Sequence, residues 1–170
     1  MDKSLAEVRR RVTAEIYDAF RGVGRVGGYS FEEADTFDGH PNPTEEARAE
    51  ARSFDTESTW EELVDDADWQ DWGSPWFFLD PIGFRYYLPA SMIRTMARER
   101  DESLKAVLNV DRDEFKEHTL ERWSLLDSAQ RLAVRHFLSF MEHLASLQGD
   151  EADAADWHRI RETWWEVQIS

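Results

Sequence analysis

The sequence predicts a mainly α protein: a single helical domain over residues 1–170, built around a central proline-kinked helix and carrying an acidic, irregular arm at 31–56. Three observations predict it. Apolar residues recur at spacings of three and four along several stretches, as they do on one face of a helix. Helix-start signals head those stretches, most clearly Asp80-Pro81 and Asp127-x-x-Gln130. No run alternates apolar and polar residues as a half-buried strand does, and no internal repeat is present. A chain of 170 residues suits one domain and is long enough to bury a sizeable core.

The first helix is read over Ser4–Val23, with Leu5, Val8, Val12, Ile16, Ala19, Phe20 and Val23 on one side. Ser4 and Glu7 fit a capping box, and Gly22 and Gly24 end the helix. Gly22, Gly24 and Gly27 spell G-x-G-x-x-G, but a dinucleotide fingerprint follows a strand and opens a helix. Here a helix precedes and an acidic loop follows, so the string reads as a turn. Residues 29–56 are irregular apart from a short helix near Pro43–Ser53, capped by Thr44 or Asn42, with Phe31, Phe37 and Phe54 anchoring the arm. Thr59 and Glu62 form a second capping-box pattern for a helix to about Asp68, with Trp60, Leu63 and Val64 inward. A turn at Gly73-Ser74-Pro75 lies among Trp69, Trp72 and Trp76.

The central helix starts at Asp80-Pro81 and runs to about Arg100. Its apolar surface goes nearly all round, which marks burial, and Pro89 removes a backbone donor and bends it. Leu104, Val107, Leu108 and Val110 suggest a short helix or turn, and Phe115–Trp123 a short strand or helix. The next helix runs from Asp127 to about Gln148, with Leu132, Ala133, Phe137, Phe140, Met141, Leu144 and Ala145 as its stripe and Gly149 as its stop. A last helix from Asp150 turns Trp157, Ile160, Trp164 and Val167 inward.

Charge is the most unequal feature. The net charge is −16, and residues 31–72 hold 15 acids against two bases, Arg48 and Arg52, a local −13. Such a field repels phosphate backbones and steers a basic partner, so a basic protein partner is expected and direct nucleic-acid binding is not. The chain has no cysteine, which removes disulfides, thiolate metal sites and cysteine nucleophiles. No apolar run approaches the roughly 20 residues of a membrane span, and MDKSLAEVRRR lacks the apolar core of a signal peptide. A cytoplasmic protein with no membrane partner is the expectation.

No motif for catalysis stands out: there is no G-x-S-x-G, P-loop or H-E-x-x-H. His136 and His143 lie seven apart on one helix, whereas helical metal pairs sit three or four apart. Asp65, Asp66, Asp68 and Asp71 are dense enough to suggest calcium, but Trp69, Trp72 and the late Gly73 break the register of a calcium loop. No cofactor and no metal are therefore expected. Two groups of candidate binding residues remain. The acids Asp65, Asp66, Asp68 and Asp71 with Trp69, Trp72 and Trp76 fit a basic protein, the rings supplying contact area and the carboxylates steering. Arg85, Tyr86 and Tyr87 fit either a pocket that grips an anion or an internal salt bridge, to Asp80 or an acid of 61–71, that fixes the central helix.

The segment FFLDPIGFRYYLPASMI, with FRYYLPA at its centre, resembles a family of small bacterial proteins of unknown function. A later pattern on Leu126, Gln130, Phe137 and Leu138 and a W-x-x-L at Trp60–Leu63 extend the resemblance over residues 57–145. It implies no activity. Three functional readings follow: an acidic binding protein of the immunity or antitoxin type that masks a basic partner; a small-molecule enzyme or sensor with a pocket around Arg85, Tyr86 and Tyr87; or a structural subunit of a larger complex.

Overall fold

Every regular element in residues 3–110 and 112–166, the residues described by the computed structural model, is helical, and no strand occurs among them. The chain thus belongs to the mainly α class that its periodicity predicts. In order it forms α1 (Lys3–Ala19), α2 (Phe31–Asp35), α3 (Glu45–Arg52), a 3-10 turn (Trp60–Leu63), α4 (Pro75–Phe78) and α5 (Pro81–Arg98). Then come α6 (Leu104–Val107), a second 3-10 turn (Asp113–Phe115), α7 (Lys116–Arg122), α8 (Ser128–Leu147) and α9 (Glu151–Trp164).

These residues divide into two compact units. The first takes described residues 3–21, 92–110 and 126–166. Here α1, α8 and α9 pack together, burying Leu5, Val12, Ile16, Phe20, Phe137, Phe140, Leu144, Trp157 and Ile160. Asp127 and Gln130 close the expected capping box on α8, and the Gln130 amide also donates to the Ala19 carbonyl at the end of α1. Gly149 takes the left-handed conformation that ends α8, and Asp150 caps α9. Three expectations change. Helix α1 already includes Ser4, so Ser4 is not its N-cap. Leu132 is 38% exposed and lies off the α8 stripe. Trp164 is half-buried, while the next ring, Trp165, is buried and donates from Nε1 to the Leu108 carbonyl. Val167 lies outside the described residues.

The second unit takes described residues 22–91 and 112–125. The arm is more regular than its polarity suggests. Ser30 and Glu33 form a reciprocal capping box that opens α2, an element the sequence reading leaves in a loop. Thr44 caps α3. Phe31 is buried and Phe37 stacks on Tyr29 at 5.3 Å, but Phe54, expected as an anchor, is 70% exposed. The helix expected from Thr59 to Asp68 is a four-residue 3-10 turn whose Thr59 side chain makes no cap bond. The close approach of two glycines ties the loop after α1 to the start of α5. A Cβ on Gly28 would lie 2.6 Å from Ile82, and one on Gly83 would lie 2.5 Å from the Tyr29 carbonyl. Asp80 Oδ1 accepts from both the Gly83 and Tyr29 backbone N–H groups at 2.9 Å, so one carboxylate caps α5 and holds that loop. Pro89 is buried inside α5.

Candidate functional site

Within the second unit, α2 stands Phe31 on an aromatic floor. Its ring meets Trp69 at 5.5 Å, Trp76 at 5.4 Å and Tyr87 at 5.3 Å, in edge-on or tilted geometry. The Tyr87 hydroxyl accepts from the Phe31 backbone N–H at 3.1 Å and donates to Glu57 Oε1 at 2.9 Å. Arg25, from the glycine-rich loop, lies over the rings of Tyr86 and Tyr87 at 5.6 and 5.8 Å and pairs with Glu57 at 3.5 Å. A tyrosine on the floor is thereby tied to a carboxylate above it.

Over this floor opens a cleft of about 530 Å³. Its walls carry six carboxylates, from Glu32, Asp55, Glu57, Glu62, Asp66 and Asp68, with Trp69 at the base and the exposed Phe54 ring beside them. The volume falls in the range of ligand sites, but an apolar metabolite site has a different lining. Crowding shows in the protonation of three of these groups. Burial, then the neighbouring Asp55 and Asp35, pushes the Glu32 carboxyl up. Burial does the same to Asp55, only partly offset by hydrogen bonds from Ser30 and the Glu32 N–H and by Arg25, and to Glu57, only partly offset by Arg25. Burial and the nearby Asp55 and Glu57 charges also push the Tyr87 hydroxyl above its ordinary range.

The two bases of the acidic segment do not sit in the cleft wall. Both Arg48 and Arg52 bond Glu33, which is 1% exposed: Nε and Nη2 of Arg48 reach Oε1 at 3.2 and 2.9 Å, and Arg52 spans both oxygens at 3.0 and 2.9 Å. Arg48 also covers the Tyr29 and Phe37 rings.

Of the acid-and-tryptophan group, the cleft gathers Asp66, Asp68 and Trp69. Asp65 is exposed and Trp72 is 43% exposed, outside the cleft lining. Two residues are corrected. Asp71 is buried, accepting from the Ser91 hydroxyl at 2.9 Å while its backbone carbonyl accepts from Trp76 Nε1 at 2.8 Å. Trp76 is fully buried beneath Phe31. Neither offers surface to a partner. The Arg85, Tyr86 and Tyr87 group separates in the same way. Both tyrosines are buried, and Arg85 is half-buried with Nη1 at 3.5 Å from the Leu125 carbonyl. Among the described residues no carboxylate pairs with Arg85, so the expected salt bridge is absent, and none of the three lines the acidic cleft. It is Arg25 that covers the tyrosines.

Sequence reasoning misses Glu32, Asp55, Glu57, Glu62, Phe54 and Arg25. A signal existed for α2, since Ser30-Phe-Glu-Glu33 is a capping-box pattern. Nothing local marks Arg25, whose role depends on residues about 30 and 60 positions later.

A family model described as a family of unknown function, DUF6714, matches residues 8–168. Comparison with curated proteins and with solved structures finds no match.

Proposed function

The chain belongs to the DUF6714 family of unknown function, and from its own residues we propose that it is an acidic binding protein that masks a basic protein partner, in the manner of a bacterial cytoplasmic immunity or antitoxin protein. The observation that carries this reading is the cleft of six carboxylates over an aromatic base. A lysine or arginine side chain entering it places its charge among carboxylates and its stem against Trp69 and Phe54. Glu32, Asp55 and Glu57 are held protonation-prone by burial and crowding, so a guest cation relieves a strain already present. Asp65 and Trp72, exposed outside the cleft, extend the contact area. A partner that binds nucleic acid through a basic surface loses that surface when this protein occupies it.

Co-purification from the source cells at low and at high ionic strength tests the reading. A basic protein retained at low salt and released at high salt is expected, with retention abolished by Glu62→Gln/Asp66→Asn/Asp68→Asn. Recovery of no basic protein at low salt, or full retention by the triple variant, overturns it. The structural-subunit reading draws on other residues of the same unit: Phe77, Phe115, Leu120 and Leu125 are each at least 39% exposed. Light scattering that finds only monomer in the purified protein and no larger complex in extracts removes that reading.

A further inference from the structure

A second cavity of the same unit has a different chemistry. Arg122, at the end of α7, is 4% exposed. Its Nη1 donates to the Trp76 carbonyl at 2.7 Å, Nη2 to the Thr119 hydroxyl at 3.4 Å, and its guanidinium stands 6.0 Å from the Phe77 ring centre. Among the described residues no carboxylate pairs with it, and its buried Nε has no hydrogen-bond partner. Burial alone pushes its pKa down to about 10, so it remains a cation at neutral pH. A buried charge ordinarily has a counter-charge, as Glu33 has here, because leaving one without a partner is costly. Arg122 instead lines a cavity of about 170 Å³.

We infer that this cavity binds a small monocarboxylate with a short apolar body, its carboxylate paired to the Arg122 guanidinium. The guanidinium supplies the counter-charge, and the bonds to Trp76 and Thr119 use two of its five N–H donors. Phe78, Leu79, Pro81 and the Tyr29 side of the lining supply apolar wall for the body of the ligand. The other titratable groups of the lining set the valence. His118 stands with Nε2 3.4 Å from the Phe77 carbonyl, and Asp80 and Glu121 add negative charge. Two acids beside one arginine disfavour a doubly charged phosphate more than a singly charged carboxylate. This site is independent of the acidic cleft, and the two readings stand or fall separately.

Titration calorimetry of the full chain with butyrate, butylamine, butanol and inorganic phosphate tests it. Saturable butyrate binding is expected, with butylamine and butanol at least tenfold weaker and phosphate weaker than butyrate. Arg122→Met, which keeps an unbranched stem and removes the guanidinium and its charge, is expected to weaken butyrate at least tenfold. Because that variant also loses the bond to the Trp76 carbonyl, the wild-type protein carries a second readout. The His118 ring signal in an NMR titration is expected to move with butyrate while that of His40 stays. Absence of saturable butyrate binding, equal binding of butanol, tighter binding of phosphate, or a His118 signal that does not move during saturation overturns the inference.

Discussion

Replacing Glu33 by alanine removes the acceptor shared by two arginines. Four guanidinium N–H groups lie 2.9–3.2 Å from its oxygens, and the Ser30 N–H adds a fifth contact at 3.3 Å. Charge-assisted bonds contribute about 1.5–3 kcal/mol each in isolation, but such values do not add within one cluster. Arg48 and Arg52 keep 25% and 43% of their side-chain surface exposed, so both regain water when Glu33 is lost. The cost therefore sits at the low end for breaking a buried pair, about 3 kcal/mol. For a chain of this size that is a fall in Tm of roughly 6–12 °C. The loss also has a pH signature. Burial alone raises the Glu33 carboxyl, but the bonds from Arg52, Arg48 and Ser30 outweigh it and hold its pKa below the ordinary range. Its stabilisation is then full above the unfolded-state pKa and disappears as pH falls through the lower folded value. Thermal melts of the wild type and Glu33→Ala from neutral to strongly acid pH follow both effects, with Glu50→Ala, at an exposed position of α3, as a charge control within about 0.5 kcal/mol of wild type. A Tm change at neutral pH no larger than the control's, or a difference that persists at the lowest pH, refutes the reasoning.

Three further outcomes follow from the same geometry. Tyr87→Phe strands the buried Phe31 N–H and releases Glu57, and is expected to cost about 2 kcal/mol in denaturant titrations; a change under a quarter of that contradicts the bonding described. Glu32, Asp55 and Glu57 are each raised, first by burial, so the folded state holds their protons to higher pH than the unfolded chain does. Their contribution to stability falls as pH rises from the ordinary carboxylate range, about 4, through the raised values. Glu32→Gln/Asp55→Asn/Glu57→Gln should therefore gain on wild type as pH rises toward 7, and a difference flat with pH counts against it. Gly28→Ala drives a Cβ against Ile82 and the Gly83 backbone and should cost about 1–3 kcal/mol, whereas Gly24→Ala, which meets open space, should be neutral or stabilising by up to about 1 kcal/mol.

The long helices were legible because their signals are local and mutually consistent. Asp127 and Gln130 cap α8 as their spacing requires, and the 3.6-residue stripe of Phe137, Met141 and Leu144 faces inward. Short elements were less legible because long-range partners decide them. The Thr59–Glu62 pattern matches a capping box, yet the segment forms one 3-10 turn with Trp60 and Leu63 buried. Composition gathers the acids in residues 31–72, but does not say which of them share a wall. Asp71 and Asp68 are three residues apart, one bonded to Ser91 in the interior and the other in the cleft. The cleft joins Glu32 to residues 55–68, a grouping that only the α2 fold creates. Arg85, Tyr86 and Tyr87 are grouped by adjacency in the sequence, but a helix sends adjacent side chains in different directions, and the cation over the tyrosines is Arg25, which arrives from elsewhere.

The measurement that bears most directly on the docking account is a calorimetric comparison of two charge-matched variants binding one arginine-rich peptide at several salt concentrations. One variant, Glu62→Gln/Asp66→Asn, removes two charges from the cleft; the other, Glu46→Gln/Glu50→Gln, removes two from exposed positions of α3. The account predicts saturable, salt-sensitive binding to the wild type and to the α3 variant, and binding weakened at least tenfold in the cleft variant. Equal weakening in both would mean that net charge alone attracts the peptide, and the cleft would have no special role.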